Sequence, residues 1–504
     1  MILGEGGRMA AAATLDDLFR RAGVRHPDAI ALADPPNREK FTDGAPRTMS
    51  FAQADRAISA FAAKLRTVGL PTDSIVAVQL PNTVESVIAL LGVLRAGMIA
   101  APMPVLWRCQ DIVAALSKIS AKAIVTSSRI GDAAQAETAR QAAVELFSIR
   151  HIFGFGADLP DGLVPFDGIL APEGTDTSSA HTRSGAAADH VAAITFGIDA
   201  TGITPLARNH VELVAGGLEL FLETEAPFDA PVLSTIPIGS FAGIALTILP
   251  WLLSGGTLHL HHGFDANAFA TQCDAFEDGV IVLPGAVAAA IAEAGMLGGS
   301  KRTVAALWRA PERLMTAKPW RIGSTLVDVT SFGEIGIVAC RRDANSLPAA
   351  IPLGVADPSR RAAGAPTVIE TTRTGAGTLA LRGRMVPSFA TPELAHALRL
   401  PAIPAGYVDT GLACQHAQGG LIVSGPPPGL TLIGGYRFQL NEVERLITEA
   451  DPNATLLALP DADLGQRFAG SSGDRAALRA KLDARGVNPL ISGAFQSRGA
   501  RDAA

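Results

Sequence analysis

The chain has 504 residues, of which 48% are hydrophobic and 18% charged, with 51 glycines and 33 prolines. This length exceeds what one hydrophobic core supports, so we expect a globular α/β protein of two or more domains with many turns. The formal net charge of −6 at pH 7, with both signs mixed along the chain, argues against a protein that binds nucleic acid electrostatically.

The cysteines are scattered without paired spacing, which excludes a cysteine-rich zinc site and argues against a disulfide framework. They are Cys109, Cys273, Cys340 and Cys414. We therefore expect a reducing, cytoplasmic location. Residues 1–13 lack the apolar core of a signal peptide, and Met9 is an alternative start. The longest apolar stretch, 236–253, is interrupted by proline and glycine, which predicts a buried segment and no membrane span.

The first part of the chain alternates helices and strands. Helical spacing predicts helices over 15–22, 51–68, 84–96 and 112–119. Apolar runs predict buried strands over 75–80, 99–102 and 123–127. The order of strand, turn, helix and strand from 75 to 102 is typical of a parallel βαβ unit.

A strand over 191–196 leads into a turn built from Gly197, Thr201 and Gly202, and a helix is predicted to begin near Asn209. A strand that enters a Gly/Thr turn commonly presents backbone N–H groups and hydroxyls to a phosphate. Most such segments, however, only connect elements. The residues alone leave both interpretations open.

The same alternation continues further along the chain. We predict strands over 232–237, 257–261, 280–283 and 326–330, with helices over 241–253 and 285–294. Short strands punctuated by Gly and Pro, the first over 335–340, predict a small β-barrel or sheet module between 335 and 425.

The run Pro426-Pro427-Pro428-Gly429 is the best candidate for a domain boundary. A helix over 441–449 and a strand over 455–459 follow it, and the last thirty residues or so end without a clear core element. We therefore expect a large N-terminal domain over 14–424, made of layered α/β subdomains plus the β module. A small, shortened α+β C-terminal domain is expected over 430–504.

Several segments in the right order resemble the adenylate-forming family, which includes acyl-CoA synthetases and other AMP-producing ligases. The match is strongest at Pro81-Asn82-x-x-Glu85, at Leu91 to Gly97 and at Ala101-Pro102. These positions build the fold. In the family's phosphate loop, Thr-Ser-Gly-Thr-Thr-Gly-x-Pro-Lys-Gly, the counterparts of Thr201 and Gly202 are kept, as is a later His210, but the Ser, the first Gly and the Lys are missing.

The resemblance implies a nucleotide site. The family's Tyr-Gly-x-Thr-Glu motif, whose Glu helps to hold Mg-ATP, falls on 330–334, and only Glu334 is kept. Glu334 is thus the implied catalytic and magnesium-binding residue, and Ser331 and Gly333 join Thr201 and Gly202 as nucleotide-binding positions. The alternative is that Glu334 is an ordinary solvated loop residue.

The resemblance also implies an acyl pocket and a thiol tunnel. The family's Pro-x-x-His-x-x-Gly segment falls on 237–243, with Ser240 in place of the His. Ser240, Phe241 and Gly243 are the implied substrate-binding residues, although this helix start could equally be plain core. Gly434 and Gly435 match the family region that flanks the tunnel of the thiol cofactor.

Three further departures affect the chemistry. The ribose-binding Asp of the family is replaced by Leu412, which cannot accept hydrogen bonds from its side chain. The Arg and Asp of the hinge motif are absent from 425–429, where three prolines stiffen the chain. The late catalytic lysine has no clear counterpart, because Lys481 lies in a helical Arg/Ala run.

A histidine cluster, His259, His261 and His262, raises the question of a metal site. In a strand His259 and His261 share one face, but no third ligand of suitable type is near in sequence. We therefore expect an ordinary strand end.

Two functions from different classes follow. The first is an acyl-CoA synthetase-like ligase that activates a carboxylic acid with ATP and Mg²⁺, none tightly bound, and passes it to coenzyme A or a carrier-protein thiol. The altered motifs predict that this activity is impaired or repurposed. The second is a non-catalytic relative that binds an acyl compound, a nucleotide or a partner enzyme. A partner chain that supplies the missing groups is a third hypothesis.

Overall fold

A computed structural model describes residues 13–171, 186–297, 301–311, 319–342, 347–356, 367–387, 402–403, 406–461 and 464–496. The described residues form a mixed α/β structure: two large layered sheets, an antiparallel β module and a smaller C-terminal α+β part.

One large sheet has seven strands. In spatial order they are Val164–Pro165, His151–Phe155, Ala123–Ser127, Ile75–Gln79, Ile99–Pro102, Val191–Asp199 and Gly202–Asn209. All neighbours pair in parallel except the last two, which form an antiparallel hairpin. The predicted parallel βαβ unit over 75–102 is confirmed.

The other large sheet has eight strands. In spatial order they are Ile337–Arg342, Thr325–Ser331, Lys301–Arg309, Asp278–Pro284, Val232–Ser234, Leu258–Leu260, Ile30–Ala33 and Thr48–Ser50. The six central strands run parallel and both edge strands run antiparallel.

The first strand that we placed in the β module belongs instead to this eight-stranded sheet. A tight turn, closed by the hydrogen bond from Phe332 N–H to the Gly336 carbonyl at 2.9 Å, reverses the chain after Thr325–Ser331. The next strand, Ile337–Arg342, therefore pairs back onto its predecessor in antiparallel register.

The helices predicted to begin at 15, at 51 and near 209 begin there, whereas the helix predicted over 112–119 begins at Cys109. Thr14, Ser50 and Asn209 each cap a helix through a reciprocal capping box. The helices of the large sheets are Leu15–Arg25, Phe51–Thr67, Val84–Arg95, Cys109–Leu116, Gln135–Glu145, His210–Thr224, the consecutive segments Phe241–Gly243, Ile244–Ile248 and Leu249–Ser254, then Ala266–Cys273 and Gly285–Glu293. Short 3₁₀ turns cover Arg38–Lys40, Asp167–Leu170 and Ala187–Asp189.

The segment 81–102, which carried the strongest resemblance, holds the two large sheets together. The Asn82 side-chain amide donates to the carbonyls of Ser234 and His261, at 3.0 and 3.1 Å, and so links helix Val84–Arg95 to the eight-stranded sheet. Glu85 is buried in an ion pair with Arg38 at 2.7 Å. This segment has the structural role that we expected.

The β module is a six-stranded antiparallel sheet. Its strands are Gly354–Val355, Glu370–Arg373, Thr378–Arg382, Ala402–Ile403, Tyr407–Ala417 and Gly420–Gly425. The proline run 426–429 connects its last strand to Leu430–Ile433, the first strand of the C-terminal part.

The C-terminal part, residues 430–496, consists of two hairpins and short helices. They are Leu430–Ile433 with Tyr436–Gln439, Leu440–Ala450, Thr455–Asp461 with Gly465–Ser471, Arg475–Ala484, Pro489–Ser492 and Gly493–Phe495. Our expectation that the chain ends without a core element is wrong. Leu478 and Leu482, one helical turn apart, are buried in one cluster with Phe495, whose ring fills the space left by Gly470.

Within the described residues, no helix has the length and apolar character needed to cross a membrane.

Candidate functional site

A cavity of about 110 Å³ lies where the two large sheets meet the C-terminal part. We call it the central cavity. One wall is apolar and comes from the loop after strand Ile99–Pro102 and from strand Val191–Asp199; it contains Pro104, Val105, Trp107 and Phe196. The opposite wall is polar and contains Ser240, Arg309, Glu334 and Arg437. Such an arrangement of an apolar pocket with a few convergent polar groups is typical of a small-molecule site.

Glu334 lies in the turn that follows strand Thr325–Ser331, as the sequence predicted, and its side chain is partly exposed and hydrogen-bonded within the chain. One carboxylate oxygen accepts the backbone N–H of Phe241 at 2.6 Å, and Thr195 contributes a side-chain hydrogen bond. Burial raises the pKa of this carboxyl above its usual value, against the opposing effect of these hydrogen bonds.

Arg208 supports the turn that carries Glu334. Its guanidinium donates to the backbone carbonyls of Glu334 and Ile335, the latter at 3.1 Å. It also lies over the ring of Phe241, 3.9 Å from the centroid. Because Arg208 is almost fully buried, its pKa is lowered to about 10. Arg208 thus connects its own strand, Gly202–Asn209, to the turn that carries Glu334 and to the helix start at Phe241.

Arg437 brings the C-terminal part against the same turn. A Cβ atom on Gly333, which has φ +60°, would stand 2.8 Å from Arg437 Nη1, so the guanidinium packs directly on the Gly333 backbone. Burial lowers the pKa of Arg437, and the charge of Glu334 opposes this effect. Arg437 Nη2 is buried and has no hydrogen-bond partner among the described residues.

Arg309 occupies the matching position on Gly435. A Cβ on Gly435, with φ +80°, would lie 2.6 Å from Arg309 Nη1. The phenol of the adjacent Tyr436 makes a hydrogen bond with the backbone of Leu106, and burial raises the pKa of this phenol. The hairpin turn at Gly434 and Gly435 therefore closes one side of the central cavity. Of these two glycines Gly435 lines the cavity, whereas Gly434 faces Leu490 and Leu464.

The implied acyl-pocket residues have different positions. Ser240 lines the cavity, and its hydroxyl oxygen caps the following helix by accepting Gly243 N–H at 3.0 Å. Phe241 is fully buried in the core against Gly216. A side chain at Gly243 would meet the Pro237 carbonyl at 2.0 Å, so only glycine fits this close turn.

The turn with the implied phosphate-binding residues is the tip of a β-hairpin. The helix predicted to begin near Asn209 begins at His210, but the residues before it form a strand, Gly202–Asn209, that pairs with Val191–Asp199 and that we did not predict. Residues 205–208 are buried in a continuous run, and the ladder of backbone hydrogen bonds makes them a strand.

Asp199 binds the polar groups of this tip. Its carboxylate accepts Thr201 N–H at 2.7 Å, Thr201 Oγ at 2.6 Å and Thr204 Oγ at 2.6 Å. Burial would raise the pKa of Asp199, but these hydrogen bonds lower it below its usual value. Gln439 of the C-terminal part donates to the Asp199 carbonyl at 2.9 Å. Donors that could face a phosphate are therefore bound to a carboxylate of the chain itself.

The other altered positions are also engaged in structure. Leu412 is fully buried, and Asp409 accepts Thr378 Oγ and Gly411 N–H at 2.9 and 2.8 Å. Lys481 Nζ donates to the Ala450 carbonyl at 2.5 Å, at the end of helix Leu440–Ala450.

The Glu334 carboxylate is bonded to an N–H and a hydroxyl, and two guanidinium groups lie nearby. The magnesium role implied by the resemblance stays a prediction, because Mg²⁺ in nucleotide sites is commonly held by one or two carboxylates together with phosphates and waters. The described residues contain no group of three His, Cys, Asp or Glu side chains that could hold a metal.

Two side chains of the histidine cluster, His261 and His262, are bonded to groups of the chain itself. His261 bonds Gln272 at 2.7 Å and accepts Asp265 N–H, and His262 accepts Asn82 N–H at 3.2 Å. These contacts support the ordinary strand end that we expected.

Sequence reasoning assigned no role to four polar residues of the site. They are Thr195, Arg208, Arg309 and Arg437. Arg208 lies six residues after Gly202 and Arg437 two residues after Gly435, positions that the resemblance singled out. A charged residue that directly follows the apolar Leu206 and Ala207 is the signal that could have identified Arg208.

Layered α/β sheets with a β module, a small C-terminal part and a cavity between them define the architecture of adenylate-forming enzymes. Solved structures share it. One is an adenylation–carrier didomain fusion, NpsA-ThdA from Klebsiella oxytoca, with a TM-score of 0.65, 17% identity and coverage of 94% of this chain and 91% of that chain. Another is MbtA of Mycobacterium smegmatis, with a TM-score of 0.64, 20% identity and coverage of 96% of this chain and 92% of that chain.

The AMP-binding enzyme family matches residues 19–307, more than half of the chain. The chain belongs to this family. A curated relative is the salicyl-AMP ligase / salicyl-S-ArCP synthetase of Mycobacterium tuberculosis, 30% identical over 166 residues, which are 32% of this chain and 27% of that protein. Another is the 4-hydroxyphenylalkanoate adenylyltransferase of Mycobacterium marinum, 34% identical over 128 residues, 24% of this chain and 19% of that protein. The chain thus spans well under half the length of these relatives.

Proposed function

We propose that this chain is an adenylate-forming ligase-family protein in which ATP-dependent activation of a carboxylic acid is impaired, and that it retains the binding of a small carboxylic acid in the central cavity. The observation that carries the proposal is the Asp199 carboxylate, which binds Thr201 and Thr204 at the hairpin tip. The proposed activation of a carboxylic acid is the chemistry of the family, and the proposed impairment follows from the groups that are altered in this chain.

Phosphate binding at this tip requires free N–H and hydroxyl donors. Asp199 takes up three of them at 2.6 to 2.7 Å, and its negative charge repels a triphosphate. The buried Leu412, where the family has a ribose-binding Asp, gives no compensating contact. Lys481, the sole lysine of the C-terminal part, is bound to the Ala450 carbonyl. ATP therefore loses contacts at its phosphates and at its ribose together.

A carboxylic acid requires fewer contacts in the central cavity than ATP does. Arg309 and Arg437 both line the cavity, and Arg437 Nη2 is a buried donor without a partner in the described residues. Trp107 and Phe196 provide an apolar wall for the remainder of the ligand. A guanidinium pairs well with a carboxylate, which supports retention of an acid ligand.

The second candidate is an active ligase, with ATP and Mg²⁺ as cofactors and coenzyme A or a carrier-protein thiol as acceptor. It is favoured by the retention of Glu334 at the turn of the cavity and by the closure of the C-terminal part through Gly435 and Arg437. Under this hypothesis a partner chain supplies the missing cationic groups.

The test is calorimetric titration of the purified protein with Mg-ATP, with AMP and with a panel of short aliphatic and aromatic acids, together with an assay for pyrophosphate release. We expect no binding of Mg-ATP at millimolar concentration, no release of pyrophosphate, and binding of at least one acid that Arg437→Met weakens. The matched control is Arg445→Met, an exposed arginine of the same part of the chain.

Pyrophosphate release that requires both an acid and Glu334 would establish the active ligase and reject the impairment. The absence of binding for every acid in the panel would reject the retained acid site.

A further inference from the structure

A wide groove of about 710 Å³ crosses the surface beside the first helix, Leu15–Arg25, and is separate in its lining residues from the central cavity. We call it the N-terminal groove. Leu18 and Leu252 are buried at its base, and Leu253 is half-buried. Two large apolar side chains stand exposed on its walls: Val24 is 84% exposed and Phe228 is 68% exposed. Exposed apolar groups gathered around a concave surface are typical of a binding surface.

The rim of the groove is basic. Arg21 and Arg25 lie one turn apart on the helix, and neither has an ion-pair partner among the described residues. Arg20 is held in place by Asp16 at 3.0 Å. These charges extend over about 8 Å of the helix axis, in the C-terminal half of the eleven-residue helix.

Three arginines and one aspartate, Arg20, Arg21, Arg25 and Asp17, are the charged residues that line the groove. The Asp17 carboxylate accepts the N–H and hydroxyl of Thr14, at 3.0 and 2.8 Å, in the helix cap. The charge of the residues that line the groove is therefore positive on balance.

We propose that the N-terminal groove docks an acidic amphipathic helix of a partner protein. The apolar face of that helix lies between Val24 and Phe228, and its carboxylates pair with Arg21 and Arg25. A helix of about three turns would match helix Leu15–Arg25, which is about 16 Å long and forms one side of the groove. The inference goes beyond the proposed function and does not depend on it.

The shape of the surface favours a protein helix over an anionic membrane. It is a concave groove with buried leucines at its base, which fits a rod-shaped ligand better than a flat lipid surface.

The probe is a fluorescein-labelled synthetic peptide of about 18 residues, with leucines at i, i+3, i+4 and i+7 spacing and glutamates on the flanking positions. Its binding to the 504-residue chain is measured by fluorescence anisotropy. A scrambled peptide of the same composition is the peptide control. We expect saturable binding of the amphipathic peptide only, weakened about tenfold or more by Arg21→Glu with Arg25→Glu, and likewise by Phe228→Ser, and strengthened at low salt.

The matched control variant is Arg56→Glu with Lys64→Glu, an equal charge reversal on exposed positions of helix Phe51–Thr67. No saturable peptide binding, or equal weakening by the control reversal, would overturn the proposal. Binding to phosphatidylglycerol vesicles without binding to the peptide, lost in the Arg21→Glu and Arg25→Glu variant, would replace it with a membrane surface.

Discussion

Phe241 donates its backbone N–H to the Glu334 carboxylate at 2.6 Å, which joins the turn after strand Thr325–Ser331 to the first turn of the helical segment that begins at Phe241. The one acidic side chain that survives from the family's Mg-ATP motif thus stabilises the junction of two elements. Its burial and its two guanidinium neighbours, Arg208 and Arg437, give it an electrostatic environment that can be tested by titration.

Glu334→Gln should change how stability depends on pH. Because burial raises the pKa of Glu334 above the ordinary 4.5, the folded protein binds this proton more tightly than the unfolded chain. Its contribution to stability is therefore complete below about pH 4.5 and is lost as the pH rises through the raised pKa. We expect the unfolding free energy of the variant, relative to wild type, to increase from pH 4.5 to pH 7 in urea titrations.

Glu277→Gln is the matched control for this titration, because Glu277 is exposed. Parallel pH profiles for wild type and Glu334→Gln would show that Glu334 titrates as an ordinary carboxyl.

Asp199→Ala should destabilise the hairpin tip. The substitution removes three hydrogen bonds to a charged acceptor, and we expect the free energy of unfolding to fall by about 1–3 kcal/mol because the released groups lie partly in contact with water.

The stabilisation by Asp199 should also depend on pH. Since the pKa of Asp199 is lowered in the folded protein, its contribution to stability is present above about pH 3.8 and is lost as the pH falls through the pKa of the folded state. Chemical denaturation of Asp199→Ala and of the exposed-site control Asp189→Ala measures the difference; equal losses would contradict the role given to Asp199.

Gly333→Ala should loosen the contact between the C-terminal part and the turn. The new Cβ would stand 2.8 Å from Arg437 Nη1 at a backbone φ of +60°, so the arginine has to move and the turn is strained by about 1 kcal/mol. We expect faster cleavage in the 426–429 linker during limited proteolysis. Gly323→Ala, with no heavy atom within 4 Å of its Cβ, is the control, and equal cleavage rates in the two variants would count against the contact.

Arg38→Met should be strongly destabilising. Arg38 pairs with Asp34 at 2.6 Å and with Glu85 at 2.7 Å, and all three side chains are buried. Removal of the cation leaves two carboxylates buried together, at a cost of about 3–5 kcal/mol. Thermal and urea denaturation measure this loss against Arg140→Met, whose exposed partner is Glu137; a difference below about 1 kcal/mol would be inconsistent with a buried ion-pair cluster.

The sequence by itself determined the family and those helices and strands whose apolar pattern is clear. Periodic apolar residues and capping residues such as Ser50 and Asn209 act within a few positions of the chain, so helices and buried strands could be located from local pattern. The replacement of the ribose-binding Asp by Leu412 was equally visible, because it depends on residue type alone.

Tertiary structure decided which groups meet. That Asp199 binds Thr201 and Thr204 depends on the pairing of two strands, which turns a predicted loop into a hairpin tip. That Arg437 packs on Gly333 depends on how residues 430–496 sit against the large sheets, more than a hundred positions away in sequence. The chemistry of the cavity follows from such distant contacts, since burial and charge neighbours, rather than local pattern, determine whether a carboxylate such as Glu334 binds a ligand or stabilises the fold.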